Sequence, residues 1–214
     1  MARNDVVLVD SIVQERLKEG FPSKQLDEVF EYFTFEQVLK DFDLSRDEIE
    51  LGWVDGRDDG GIDGFFVFVN GNMLQDPTTF QWPKRNAEIE VHILTCKHHD
   101  TFLQAPLNSL LASLPELLDL SSENHHLKAR YSADVLSARE ILLDSYKALS
   151  VARPSLSFHF CYASRGDTTQ VATNIQARAD QIVQLTEGLF SQCTASFDFI
   201  GAIQASFPTI YRSC

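Results

Sequence analysis

Apolar residues in the first part of the chain recur at intervals of three and four, the spacing of an amphipathic helix. One such pattern covers residues 5–19, and a longer one covers residues 24–42. Ser23 precedes the second pattern and is expected to cap that helix, while Ser45 is expected to cap a short helical turn that follows. The chain is therefore predicted to begin with helices that each bury one face.

A strand-like pattern replaces the helical one beyond residue 60. Residues 65–69 are a continuous run of Phe and Val, which predicts a strand buried on both faces. Asn70 and Gly71 form a turn signal that ends this strand. Three further strands are predicted, at residues 88–97, 155–166 and 195–207.

Helical patterns separate the later strands. Two leucine-rich patterns lie within residues 101–150, and a third covers residues 168–190. The order of elements predicts an α/β fold with a central mixed β-sheet of about four strands flanked by helices, and a helical insertion between strands two and three. The length of 214 residues suits a single domain over residues 1–214. Because the pattern has no clean end, we expect this domain to be the N-terminal part of a longer protein.

The charge of the chain limits the classes of function. The formal net charge is −13 and the sequence pI is about 4.8, whereas a simple nucleic-acid-binding module is usually basic on at least one face. An acidic chain can still be a metal-dependent enzyme, since carboxylates bind divalent cations. A further domain or a second subunit can then supply the surface that binds phosphate.

Several common enzyme classes lack their motif here. The sequence contains no GxxxxGK[ST] phosphate-binding loop, no GxSxG nucleophile turn and no Gly-rich dinucleotide fingerprint. The four cysteines form no CxxC pair, which is typical of free thiols in a reducing compartment. No signal peptide and no apolar run of membrane-spanning length is present, so a cytoplasmic location without a membrane partner is expected.

An acidic, glycine-rich stretch precedes the first predicted strand. In the sequence DDGGIDG, residues 58–64, glycines leave the Asp63 carboxylate with little steric cover at the mouth of a buried strand. A metal ion and a phosphate can both approach such a position. A turn that only connects a helix to a strand is the alternative interpretation.

A lysine ends the second predicted strand. Side chains alternate across a strand, so Val91, Ile93, Thr95 and Lys97 share one face. A lysine in such an apolar strand needs a partner or a function, unless it lies just past the strand end and extends to water. If the first two strands are neighbours, Asp63 and Lys97 converge. Asp63 would then bind a hard cation such as Mg²⁺, and Lys97 would position the attacking water or offset negative charge.

These motifs resemble those of the PD-(D/E)XK, or restriction-endonuclease-like, nuclease superfamily. Residues 26–100 are similar to the amino-terminal part of the abortive-infection phage-resistance (AIPR) family, and most specifically so over residues 28–71. Residues 157–167 and 171–185 resemble the distal half of that domain. The chain is similar to Mrr-type restriction nucleases more loosely. The resemblance implies a restriction-endonuclease-like core.

The resemblance also implies roles for individual residues. Asp63 matches the metal-binding Asp of the family motif and Lys97 its catalytic Lys. Glu36 matches a helical Glu that helps to hold the metal, with Glu28 and Glu31 as weaker candidates. The backbone carbonyl of Cys96 lies where the family offers a carbonyl ligand. The implied cofactor is Mg²⁺ or Mn²⁺.

One position departs from the family pattern. Thr95 stands where the family has Glu or Gln, and a hydroxyl is a poorer Mg²⁺ ligand than a carboxylate. Either another acid compensates or the domain is catalytically degenerate. The acids considered as substitutes are Asp55, Asp58, Asp59 and Glu36.

The function that the resemblance implies is a metal-dependent endonuclease that cuts DNA, with RNA as the alternative substrate, in bacterial defence against phage. Arg165, His98 and His99 are expected to contact the nucleic acid. A homo-oligomer or an additional C-terminal domain is expected, because many such nucleases act as dimers. The alternative function is a degenerate nuclease-fold module for nucleic-acid sensing or protein interaction.

Overall fold

The computed structural model describes residues 3–201, and for residues 3–5 only the backbone. The helices are α1 (Arg3–Glu19), α2 (Leu26–Val38), α3 (Arg46–Gly52), α4 (Gln104–Leu117), α5 (Ala133–Ala148) and α6 (Thr173–Leu189). The strands are β1 (Gly64–Val69), β2 (Asn72–Met73), β3 (Glu88–Lys97), β4 (Ser155–Ser164) and β5 (Cys193–Ile200).

The strands form one mixed sheet in the order β2-β1-β3-β4-β5. β1 is antiparallel to both β2 and β3, whereas β3–β4 and β4–β5 are parallel pairs. Parallel neighbours need a long crossover connection. The predicted helical insertion, which contains α4 and α5, provides that connection between β3 and β4, and α6 provides it between β4 and β5.

Helices cover both faces of the sheet, so the α/β class is confirmed. Adjacent β1 side chains point to opposite cores: Phe65 and Val67 pack with the apolar sides of α4, α5 and α6. Phe66 and Phe68 pack with α1, α2 and α3 on the other face. Burial on both faces explains why β1 is a continuous apolar run rather than an alternating one.

The prediction of about four strands was one strand short. The turn at Asn70 and Gly71, both at positive φ, begins a hairpin whose second strand is the two-residue β2. The strand predicted over 195–207 is observed as Cys193–Ile200, and residues 202–207 lie outside the described part. Among residues 3–201, no helix combines the length and the apolar character that crossing a membrane requires.

One of the two predicted caps was wrong. The residue before α2 is Gln25, whose side chain makes no capping bond, and the Ser23 hydroxyl instead accepts a hydrogen bond from the Gln25 amide at 3.0 Å. Ser23 lies too far from the first turn, because α2 begins at Leu26. Ser45 does cap α3: it forms a capping box with Glu48, in which each side chain accepts from the other residue's amide.

Candidate metal centre

Asp63 and Lys97 meet at one end of the β1–β3 pair. β1 begins where β3 ends, with Gly64 opposite Leu94, and the Asp63 amide donates to the Leu94 carbonyl at 2.9 Å. The Lys97 ammonium lies 3.1 Å from each carboxylate oxygen of Asp63. The Asp63 side chain is fully buried, whereas that of Lys97 is 34% exposed. The lysine therefore connects a buried carboxylate to solvent.

The backbone of Cys96 supports the same carboxylate. Its amide donates to Oδ2 of Asp63. The N–H and C=O groups of one strand residue point to the same side, so the Cys96 carbonyl also points towards Asp63. This orientation is compatible with the predicted role of that carbonyl as a ligand.

The helical acid beside Asp63 is Glu31. One carboxylate oxygen each from Glu31, Asp55 and Asp63 lie within 4.8 Å of one another. Glu31 is only 3% exposed, and its carboxylate accepts a hydrogen bond from the Trp53 indole at 2.9 Å. Asp55 is exposed and lies in the loop after α3, three residues beyond Gly52. One helix and two loop segments thus each bring one carboxylate to the start of β1.

Glu36 is not one of these three acids, which corrects the prediction from the sequence. Its carboxylate is bound to Arg16 of α1, and its side chain is 28% exposed. The two acids are five residues apart, which separates them by about 140° around the helix axis. Only Glu31 can face the start of β1. Glu28, the other candidate on α2, accepts a hydrogen bond from Gln25.

A signal in the sequence could have identified Glu31. It lies inside the most apolar part of α2, between Phe30 and Tyr32, and the whole stretch from Val29 to Phe35 is buried. An acid among buried aromatic residues needs a specific partner. The Trp53 indole, a donor only, is such a partner.

Thr95 is fully buried and holds the acidic loop rather than facing the three carboxylates. Its hydroxyl donates to the Gly61 carbonyl at 2.7 Å, and the Ser113 hydroxyl of α4 donates to the Gly60 carbonyl at 2.7 Å. Both glycines have positive φ, +71° for Gly60 and +86° for Gly61. The loop before Asp63 is therefore fixed by β3 on one side and by α4 on the other.

Of the acids considered as substitutes at the Thr95 position, Asp55 is the one that joins the cluster. Asp58 has a positive φ and forms an ion pair with Arg130 at 3.4 Å. Asp59 is half-buried and accepts a hydrogen bond from the Gly61 amide at 2.6 Å. These two residues shape the loop, while Asp55 adds a carboxylate.

The crowding of acids perturbs their protonation. Burial, together with the charges of Asp63 and Asp55, raises the pKa of Glu31 to about 9. Burial raises the pKa of Asp63 to about 6, although Lys97 and the Cys96 amide act in the opposite direction. For Lys97, burial alone would lower the pKa, but the Asp63 carboxylate raises it overall. The site therefore holds a proton at neutral pH and has more negative charge than one lysine can neutralise.

This donor set fits a hard divalent cation. Carboxylate and carbonyl oxygens are the ligands that Mg²⁺ and Mn²⁺ prefer. Buried carboxylates that repel one another are relieved when a cation binds between them. Glu31, Asp55 and Asp63 are the residues that would hold such an ion.

The three residues expected to contact nucleic acid lie just beyond β3 and β4. The Arg165 guanidinium makes two ion pairs, 2.7 Å from Asp10 and 2.9 Å from Asp100. His98 is partly buried, with Nε2 3.9 Å from Asp10. His99 is exposed, and its carbonyl accepts a bond from the Arg165 amide. The Arg165 charge is therefore already compensated within the protein.

No protein-family model, no curated protein and no solved structure matches this chain.

Proposed function

We propose that this protein is a Mg²⁺- or Mn²⁺-dependent endonuclease that hydrolyses phosphodiester bonds in DNA. The observation that carries the proposal is the contact between the Lys97 ammonium and the buried Asp63 carboxylate, with Glu31 and Asp55 beside it. An ordinary structural ion pair does not need two further acids at the same point. Nucleases with the PD-(D/E)XK pattern use both: the acids hold the cation, and the lysine offsets charge on the phosphate.

Each residue has a role that follows from its position. Glu31, Asp55 and Asp63 would hold the cation, which supplies charge neutralisation at the phosphate and lowers the pKa of a bound water. Asp63 orients Lys97, because both of its oxygens lie 3.1 Å from the ammonium. The exposed part of Lys97 can contact a phosphate oxygen and offset charge that develops on it.

Trp53 and Thr95 act by positioning. The Trp53 indole fixes the Glu31 carboxylate, and the Thr95 hydroxyl fixes the loop that leads to Asp63. Residues that orient metal ligands usually influence metal affinity about 10- to 100-fold. Such supporting contacts favour a working site over a degenerate one, although Thr95 stands where the family pattern has Glu or Gln.

The net charge of −13 must be reconciled with a DNA substrate. Repulsion between exposed charges is screened beyond about 8–10 Å at physiological ionic strength. We propose that a second copy of the chain or a further domain supplies the remaining phosphate-binding surface, and that the nuclease is an effector in defence against phage. The defence role is supported only by the resemblance to the AIPR family.

The direct test is cleavage of supercoiled plasmid with Mg²⁺ or Mn²⁺. Wild type is expected to nick or linearise the plasmid, while Asp63→Asn and Lys97→Ala are expected to lose about 100-fold or more of the rate. Arg130→Ala, which removes an exposed cation paired with Asp58 of the acidic loop, is the matched control and should keep most activity. Equal rates in wild type and both site variants would overturn the proposal.

The alternative function, a degenerate module for sensing or interaction, has one observation in its favour. Thr95 offers its hydroxyl proton to Gly61 and brings no negative charge. Calorimetric titration with Mn²⁺ separates the two functions. Absence of binding at millimolar Mn²⁺ would favour the degenerate module, and binding that Asp63→Asn abolishes would favour the nuclease.

A further inference from the structure

A second group of metal-ligating side chains lies on the sheet, away from the three acids. His92 of β3 and His159 of β4 are cross-strand partners in the parallel pair, and Glu90 precedes His92 by two residues on the same face. One ligand atom from each of the three side chains lies within 4.8 Å of the other two. All three residues are partly buried.

The two imidazole rings are stacked on one another. Their ring centroids are 4.7 Å apart with an interplanar angle of 25°. Phe42, in the short 3₁₀ helix after α2, packs edge-on against His92 at 5.3 Å and thereby shields one side of it. On the other side, towards β5, Ser196 is exposed among the residues that the structure describes.

An independent observation points to a missing ligand. Nε2 of His92 is buried and has no hydrogen-bond partner among the described residues. Leaving a buried polar atom without a partner costs about 1–3 kcal/mol. Coordination to a metal would satisfy this nitrogen.

His159 has the support that metal-binding histidines usually have. Its Nδ1 lies 3.1 Å from the Ser196 hydroxyl on β5. Metal-ligating imidazoles commonly use their second nitrogen for such a bond, which fixes the ring and its tautomer. Since Nδ1 is engaged in this contact, Nε2 is the ring nitrogen of His159 that would bind an ion.

We propose that Glu90, His92 and His159 form a Zn²⁺ site that links β3 to β4. Two imidazoles and one carboxylate are the ligand types that suit Zn²⁺ better than Mg²⁺, which prefers oxygen alone. Three protein ligands leave the fourth position to water. This site is chemically distinct from the oxygen-only group at Asp63, and it does not depend on the proposed nuclease activity.

The test is titration of the metal-free full chain with Zn²⁺ in competition with a chromophoric chelator. Wild type is expected to bind one Zn²⁺ per chain at micromolar concentration or below. Because loss of an outer partner alone weakens metal affinity about 10- to 100-fold, Ser196→Ala should fall in that range and His159→Gln beyond it. Substitution with Co²⁺ should give the visible absorption of a tetrahedral site containing imidazole.

Two matched controls locate the ion. Asp63→Asn should retain Zn²⁺ binding, because it alters only the oxygen site. His125→Gln removes an exposed histidine that belongs to the adjacent pair His125 and His126 and is not one of the three proposed ligands. This variant should also retain Zn²⁺ binding. Circular dichroism of each metal-free variant checks folding, and Ser196→Ala carries the test if His159→Gln does not fold. Equal affinity in wild type, Ser196→Ala and His159→Gln, or no stoichiometric binding in wild type, would overturn the proposal.

Discussion

The indole of Trp53 donates a hydrogen bond to the buried carboxylate of Glu31 at 2.9 Å, and this bond joins the end of α3 to α2. Trp53 follows α3 directly, whereas Glu31 lies in α2. The Trp53 backbone also pairs with Gly64, the residue after Asp63. One tryptophan thus connects the helical acid to the strand that carries the second acid.

Replacing Trp53 by Phe tests this positioning. The ring and most of its packing against Phe35 are kept, but the donor to Glu31 is lost. We expect Mn²⁺ affinity to fall about 10-fold, because outer partners orient metal ligands. Calorimetric titration measures the affinity, and a thermal melt checks folding. An unchanged Mn²⁺ affinity in a folded Trp53→Phe protein would contradict the positioning role.

Glu31→Gln and Glu36→Gln form a matched pair on the same helix. Gln at position 31 keeps the oxygen that accepts from Trp53 but removes a charge from the three-acid group, so cleavage with Mg²⁺ is expected to fall about 100-fold. Gln at position 36 only weakens a partly buried pair with Arg16 that does not include the three acids, so cleavage should stay within about twofold. Plasmid cleavage rates decide between the two acids. A larger loss of rate in Glu36→Gln than in Glu31→Gln would assign the metal-binding role to Glu36 instead.

The raised pKa of Glu31 predicts how the stability of the metal-free protein depends on pH. Its folded pKa of about 9 exceeds its ordinary value of 4.5, so the folded protein binds the proton more tightly than the unfolded one. The resulting stabilisation is present at low pH and is lost as pH rises towards the folded pKa. The melting temperature measured in EDTA should therefore fall between about pH 5.5 and about pH 8.5.

Glu31→Gln is the control for that pH dependence. The substitution removes the titrating group, so its melting temperature should fall less than that of wild type over the same interval. Each kcal/mol of difference corresponds to about 2–4 °C for a domain of this size. If the melting temperatures of the two proteins fell equally with pH, Glu31 would not be the group that causes the pH dependence.

Gly61→Ala and Gly71→Ala compare two glycines at similar positive φ. A Cβ at Gly61 would lie 2.8 Å from Cβ of Ser109 in α4, whereas at Gly71 nothing lies within 4 Å. Both substitutions carry a backbone penalty of about 1 kcal/mol, but only Gly61→Ala must also displace the loop. We expect Gly61→Ala to lower both stability and Mn²⁺ affinity. An equal loss of stability in both variants, with Mn²⁺ affinity unchanged, would refute the tight packing of the loop.

The sequence was most informative where local pattern and chemistry agree. β3 was predicted over 88–97 and is observed as Glu88–Lys97. The convergence of Asp63 and Lys97 followed from two neighbouring strands, because antiparallel pairing places the start of one beside the end of the next. The pairing of these two strands alone brings Asp63 and Lys97 together, so the rest of the fold was not needed for this prediction.

The helical acid could not be assigned in the same way. Glu28, Glu31 and Glu36 lie on one helix, and choosing among them requires the rotation of α2 against the sheet. That rotation is set by aromatic packing between α2 and β1, for example Phe35 against Phe66. The two-residue β2 was not predicted because a strand of that length has no periodicity to detect.

The hydrogen bonds from Thr95 and Ser113 fix the loop that contains Gly60 and Gly61, and this lowers the entropy cost of binding an ion there. A loop that is already bound to a strand and to a helix loses little further conformational entropy when an ion binds. Binding of the proposed cation would then require mainly the release of a proton from the crowded carboxylates, rather than the ordering of a flexible loop. The heat of binding should accordingly vary with the ionisation enthalpy of the buffer.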